Sequence, residues 1–162
     1  MTVIATMVTP PDFKAFPWME HAFRELGTRE IATTKRNNPR ILAYHATSCG
    51  ASDDETAWCS SFANWCMKQA GMKGTGKPNA RSWLQWGESL PVHSPVYGCV
   101  TVFSRPPKAW QGHVAFFVGM RNGAICVLGG NQGPTSGAVC LKDYPLSRLM
   151  GFRWPTGFPR PA

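Results

Sequence analysis

A cysteine close to the start of a predicted helix is the most reactive group that the sequence offers. Cys59 lies in a run from Asp53 to Cys66 that opens with three acidic residues and continues with amphipathic spacing. This pattern predicts a helix from about Glu55 to Gln69, with Cys59 about one turn inside it. The dipole and the free N–H groups at a helix start favour the thiolate, which attacks carbonyl carbon. Because the three carboxylates oppose that charge, a nearby histidine cation must help to lower the pKa of the thiol.

His113 is the predicted base. It follows Gly112 at the start of an apolar run, residues 113–118, that predicts a strand. A strand end exposes side chains at the rim of a sheet, and the glycine leaves room for a substrate or a helix. The other histidines (His21, His45 and His93) are expected to have surface roles. A thiol followed by an imidazole predicts a cysteine hydrolase.

A polar residue near the end of a later apolar run is the predicted partner of the imidazole. An amide oxygen can accept the imidazole N–H and so select the tautomer whose free nitrogen faces the sulfur. Asn131 is the predicted residue, and its neighbour Gln132 is the alternative. The composition of the segment 129–134 is equally typical of a plain turn.

The charge balance indicates an anionic partner without defining a nucleic-acid site. The 162 residues include 17 Lys and Arg against 9 Asp and Glu, a net charge of +8. The basic residues are scattered, and no helix-turn-helix, RNA-recognition or zinc-finger pattern accompanies them. A solvated basic surface, or attraction to an anionic cell-wall polymer, therefore fits better than nucleic-acid binding.

Six cysteines are present, but they form neither a C-x-x-C pair nor a Cys/His zinc spacing. We therefore expect no metal, and the proposed chemistry needs no organic cofactor. A disulfide framework remains open but is not required for a domain of this size. No run approaches the length of a membrane span, and the N-terminus lacks the pattern of a secretory leader.

The order of predicted elements indicates one α+β domain over residues 16–162, preceded by an irregular arm over residues 1–15. Helices are predicted from Pro17 to Gly27, from Asn38, from Glu55 and over residues 80–86. After Pro91 the pattern changes to short apolar or alternating runs, with Arg121-Asn122-Gly123 as a hairpin turn. Helices followed by an antiparallel meander are typical of the α+β class.

Several segments together resemble the NlpC-type and CHAP cysteine peptidases, above all the CHAP-like branch of phage lysins and antibacterial effectors. These papain-like enzymes cut peptidoglycan peptides, or the amide that joins peptide to glycan. The resemblance covers roughly Pro17 to Pro155 and is carried by Asn37-Asn38-Pro39, by the segment from Ala57 to Trp65, by Ala80-Arg81-Ser82-Trp83-Leu84, by Gly112-His113-Val114 and by Leu128-Gly129-Gly130-Asn131-Gln132.

The resemblance implies helices packed on a C-terminal antiparallel sheet, with Cys59 as nucleophile, His113 as base and Asn131 as third residue. It also implies that the backbone N–H of Cys59 contributes to an oxyanion hole. Many CHAP enzymes have Glu where this chain has Gly129. An asparagine in third place supplies no negative charge to stabilise an imidazolium.

The implied substrate is peptidoglycan. The implied partners are an immunity protein or delivery machinery, since a chain without a leader reaches the wall through a holin, a secretion system or a virion. Substrate contacts are expected from Trp58, Trp83, Gly112 and Gln132, although core packing suits both tryptophans equally well. Two other functions stay open, a catalytically silent wall-binding module and a protein transglutaminase or deamidase on the same fold.

Overall fold

The computed structural model describes residues 12–33, 35–133 and 137–161. Most of the predicted N-terminal arm, residues 1–11, therefore lies outside the described residues. No helix among the described residues is long and apolar enough to cross a membrane.

The described N-terminal half is mostly helical, as predicted. The helices are α1 (Pro17–Arg24), α2 (Pro39–His45) and α3 (Cys59–Gln69), followed by a 3₁₀ turn at Ala80–Gln85. Helix α1 ends before the predicted Gly27, which lies beyond it in a left-handed conformation with φ +92°. Asn38 starts α2 by accepting a hydrogen bond from the backbone N–H of Arg40.

The second half forms one antiparallel sheet, which confirms the α+β class. Its spatial order is β1-β6-β2-β3-β4-β5. The three-residue strand β1, which the sequence pattern did not predict, pairs with β6 at one edge. The strands are β1 (Glu88–Leu90), β2 (Val100–Ser104), β3 (Gly112–Arg121), β4 (Ala124–Gln132), β5 (Ala138–Tyr144) and β6 (Leu149–Trp154).

Helix α3 begins at Cys59 itself, so the prediction that it begins at Glu55 is wrong. The acidic segment makes its own contacts and does not enter the first turn. Asp54 is buried and its Oδ2 accepts the backbone N–H groups of Ile31 and Asn38, at 2.9 and 2.8 Å. Asp53 accepts the N–H of Thr56 at 2.7 Å. Cys59 is consequently the first residue of the helix, where its backbone N–H has no intrahelical acceptor.

Two local backbone features shape strand β4, one at each end. The predicted hairpin is confirmed: Arg121 pairs with Ala124, and both intervening residues have positive φ. Near the end of β4, the pairing to β5 shifts between Gly129 and Gln132. This irregularity places Asn131 at φ +56°. It is a β-bulge, which inserts one extra residue into β4.

The core lies between α3 and the β3–β4 surface. A Cβ added to Gly130 would lie 2.6 Å from the Trp58 ring and 2.7 Å from the Phe62 Cβ. Glycine at this position therefore lets the start of α3 sit directly on the sheet. This close approach is what brings the first residue of α3 to the start of β3.

Candidate active site

The Cys59 thiol lies at the junction of α3 and β3. Its side chain is buried except for a small part of its surface, 7%. The sulfur is close enough to the backbone of Val114, the residue after His113, for that backbone to lower the pKa of the thiol. The exposed part of Cys59 lines a cleft together with Gly112. The two elements predicted to carry the nucleophile and the base therefore meet.

The His113 imidazole is held by Gln132. Its Nε2 lies 2.8 Å from Gln132 Oε1, and Gln132 Nε2 donates to the carbonyl of Cys140 at 2.7 Å. Because the Cys140 carbonyl can only accept, the orientation of the Gln132 amide is determined, and its oxygen must accept from His113. Nε2 of His113 therefore carries the proton. The free lone pair is on Nδ1, the nitrogen available to a substrate or a thiol.

The partner of the imidazole is thus Gln132 and not Asn131. In a regular strand, alternate residues share a face, so Asn131 would lie on the same face as Gly129. This is the face towards Ala115, two residues after His113, because a Cβ built on Gly129 would meet the Ala115 side chain. Because the bulge adds one residue, Gln132 takes that face instead. A Cβ built on Gly129 would lie 2.9 Å from Gln132 Oε1, which shows that the two residues share the face. We therefore correct the expected arrangement. The sequence predicts Asn131 as the partner of the imidazole. The extra residue in β4 gives that position to Gln132.

Asn131 instead supports the start of α3. With its amide oriented to satisfy both neighbours, it donates to Glu30 Oε1 at 3.1 Å and accepts from the Trp58 backbone N–H at 3.3 Å. The Trp58 indole N–H also donates to Glu30, at 2.8 Å. Asn131 therefore ties the bulge to the residue that precedes Cys59.

Tyr144 is a site residue that the sequence reasoning missed. Its ring stacks on His113 with centroids 5.2 Å apart and planes 25° apart, and it stacks on Phe103 at 4.5 Å. Its hydroxyl donates to Gln132 Oε1 at 3.2 Å. Tyr144 thus fixes both the plane of the imidazole and the acceptor that orients it. No local motif marks it, because it reaches the site from the end of β5.

Burial sets the ionisation of both groups. It raises the pKa of the Cys59 thiol, against smaller opposing effects of the Val114 and Ser60 backbone and of the Arg105 charge. It lowers the pKa of His113 to about 4; the Gln132 hydrogen bond opposes this, and the charges of Lys142, Arg148 and Arg105 reinforce it. Both directions favour a neutral thiol and a neutral imidazole, rather than the thiolate and histidine cation expected from the sequence.

The low pKa of His113 predicts an acid-sensitive fold. The unfolded chain binds a proton on this histidine below about pH 6.5, whereas the folded chain does so only below about pH 4. The contribution to stability is therefore complete above pH 6.5 and is lost as the pH falls from 6.5 to 4. It amounts to about 3 kcal/mol. The measurement is chemical denaturation of wild type and His113→Gln across this range. The unfolding free energy of wild type minus that of the variant should fall by about 3 kcal/mol as the pH falls from 6.5 to 4.

The difference between the two proteins isolates His113 from other titrating groups. Burial also lowers the pKa of His45, but this contribution is common to both proteins and cancels. A difference that does not change between pH 7 and pH 4 would contradict the buried, neutral state of the His113 imidazole.

The cleft beside Cys59 has a volume of about 260 Å³. Gly112, one of the predicted substrate contacts, lines it. Trp58, Trp83 and Gln132 do not line it. The two tryptophans are fully buried and Gln132 is 2% exposed. Their predicted substrate contacts are therefore corrected to roles in the core and, for Gln132, in holding the imidazole. The lining residues are Thr56, Ala57, Cys59, Pro78, Asn79, Ala80, Arg105, Trp110, Gln111 and Gly112.

His45 also differs from expectation. It was expected on the surface, but it ends α2 and is fully buried. Its Nδ1 lies 2.9 Å from Ser61 Oγ and 3.5 Å from Cys49 Sγ. Its loop-like sequence context gave no indication that α2 would pack it against α3. Among the described residues, no group of three or more His, Cys, Asp or Glu side chains could hold a metal ion.

Sequence comparison assigns the chain to a family. The model of the CHAP domain matches residues 51–131, half of the chain, and this range includes Cys59 and His113. The chain therefore belongs to the CHAP domain family, whose members are generally hydrolases of the cell wall. No curated protein sequence matches the chain.

The fold is also similar to that of a solved structure. It is a protein from Staphylococcus aureus subsp. aureus Mu50, described as similar to a lipoprotein of the NLP/P60 family. The TM-score is 0.55 and the sequence identity 16%, over 90% of this chain and 43% of that chain. The chain thus spans less than half of that protein. The likeness confirms the NlpC-like fold.

Proposed function

We propose that this chain hydrolyses an amide bond of peptidoglycan, in the stem peptide or between peptide and glycan. In this proposal Cys59 is the nucleophile, His113 is the base and Gln132 orients the imidazole. The observation that carries the proposal is the cleft in which the first residue of α3 meets the start of β3. Membership of the CHAP family supports the cell wall as the place of action.

The neutral pair determines how the nucleophile forms. As Cys59 Sγ bonds to the amide carbonyl carbon, its proton passes to Nδ1 of His113. Gln132 Oε1 accepts the Nε2–H of the imidazolium and so stabilises its charge. The backbone N–H of Cys59, free at the helix start, is a donor for the oxyanion.

Collapse of the tetrahedral intermediate breaks the C–N bond, and the imidazolium gives its proton to the leaving amine. A water molecule then attacks the thioester while Nδ1 takes one of its protons. That proton returns to the sulfur as the C–S bond breaks. The products are a carboxylic acid, an amine and the original thiol. Every proton step uses the same nitrogen of His113.

Digestion of purified peptidoglycan, analysed by mass spectrometry, tests the proposal. We expect soluble fragments with a new carboxylate and a new amine at one type of amide bond, and their masses identify the bond. Binding to the wall without fragments would support the silent wall-binding module instead. Products in which a protein glutamine gains 1 Da, or is joined to an amine, would support the deamidase or transglutaminase.

The role of the chain as a lysin or as an antibacterial effector belongs to the same proposal. Delivery by a holin, a secretion system or a virion, and recognition by an immunity protein, stay predictions. Growth of a producing strain with and without delivery of the chain to the periplasm would test where it acts.

A further inference from the structure

One wall of the catalytic cleft is formed by the loop that joins β2 to β3. Arg105 follows the last residue of β2, and Gly112 begins β3. Arg81 holds the far end of the loop by donating to the carbonyl of Gln111 at 2.8 Å. The loop therefore presents Arg105 at the cleft from an anchored position.

Arg105 is exposed, and its side chain has no partner among the described residues. None of the ion pairs or side-chain hydrogen bonds among the described residues involves it. The other described residues that line the cleft are uncharged. Arg105 is therefore the one cation among the described residues that line the cleft, and its charge acts on both Cys59 and His113.

Trp110, on the same loop, lines the cleft with 70% of its surface exposed. Lys108 Nζ lies 5.6 Å from the centroid of the Trp110 ring. Trp110 and Arg105 line the same cleft, which therefore offers an aromatic surface and a guanidinium. That combination fits a ligand with an aliphatic or ring portion beside an anionic group. A guanidinium binds a carboxylate with two parallel hydrogen bonds, which fixes its orientation as well as its charge.

We propose that Arg105 binds a free carboxylate next to the scissile amide, and that the chain therefore favours acidic stem peptides over peptides in which that carboxylate is amidated. Trp110 packs against the adjoining apolar part of the substrate. This inference rests on the proposed function, because it concerns the substrate of the same cleft.

The test compares two muropeptides that differ in a single group. Both contain the bond identified by the peptidoglycan digest; the nearest carboxylate is free in one and amidated in the other. For wild type we expect kcat/KM to be about tenfold or more higher for the free carboxylate, as a charge-assisted hydrogen bond implies. Arg105→Gln should reduce this ratio to about one, and Arg105→Lys should retain part of it.

Lys68→Gln is the matched control, because it removes one positive charge at an exposed residue of α3 that does not line the cleft. It should keep the wild-type preference. If Arg105→Gln lowers both rates equally, or if wild type shows no preference, the inference is overturned while the proposed function stands. If wild type cleaves neither muropeptide, the proposed function fails, and this inference fails with it.

Discussion

Cys59→Ala is expected to abolish cleavage of peptidoglycan, with a loss in kcat of about 10⁴-fold or more. The reason is that Cys59 is the one thiol among the described residues that line the cleft. Removing the attacking atom leaves only binding and the oxyanion donor, and such losses in cysteine and serine hydrolases are of this size or larger. Release of soluble fragments, followed by mass spectrometry over several hours, measures the effect. Cys59→Ser, which keeps the shape of the side chain, should be nearly as inactive.

Cys66→Ala provides a matched control for this experiment. Cys66 is also buried in α3, seven residues further along, but it does not line the cleft. Its removal should cost about 1 kcal/mol of stability and leave kcat within a few fold of wild type. Thermal unfolding of each variant shows that the protein is folded. Cleavage by folded Cys59→Ala would contradict the assignment of the nucleophile.

Gln132→Leu is expected to lower kcat by about a hundredfold or more, whereas Asn131→Gly should lower it by less than about tenfold. The leucine leaves Nε2 of His113 without an acceptor and frees the imidazole to turn and to exchange tautomers. Glycine at position 131 loses the contacts to Glu30 and Trp58 but tolerates the positive φ of the bulge. Steady-state kinetics on the identified muropeptide separates the two effects.

A pH profile distinguishes orientation of the imidazole from general damage to the core. Gln132→Glu keeps an oxygen acceptor and places a negative charge beside His113. It should raise the pKa of that imidazole, so the acid limb of kcat/KM should move to higher pH than in wild type. A variant that merely loosens the fold would lower the rate without moving the limb. A larger loss in Asn131→Gly than in Gln132→Leu would contradict the geometry.

Much of the fold could be predicted because its patterns are local. Pro17 and Asn38 begin helices through the geometry of proline and the capping ability of asparagine. Arg121-Asn122-Gly123 turns a hairpin because its last two residues tolerate positive φ. Strand β1 was missed because three residues carry too little alternation to be recognised. Its existence depends on pairing with β6, at the far end of the chain.

The sequence indicated Cys59 and His113 of the proposed site, but it preferred Asn131 to Gln132, the residue that holds the imidazole. Cys59 and His113 are the residue types that this chemistry needs, and each lies next to a recognisable element boundary. Gln132 could not be preferred over Asn131, since the choice depends on a single extra residue in the pairing of β4 with β5. Tyr144 was invisible for a related reason. Its ring meets His113 only in the tertiary structure, since the two residues lie on different strands that are not neighbours in the sheet.

Residue type and chain order alone therefore identify a thiol, an imidazole and an α+β domain of the NlpC and CHAP kind. The tertiary structure decides which amide faces the imidazole, because a bulge exchanges the two faces of a strand. It also decides the ionisation of the pair, because the pKa values respond to burial, which no local pattern contains. The acidic run before Cys59 illustrates both points. From the sequence, this acidic run predicted an early start of the helix. In the folded chain the Asp54 carboxylate instead accepts the backbone N–H groups of Ile31 and Asn38, and Cys59 is the first residue of α3.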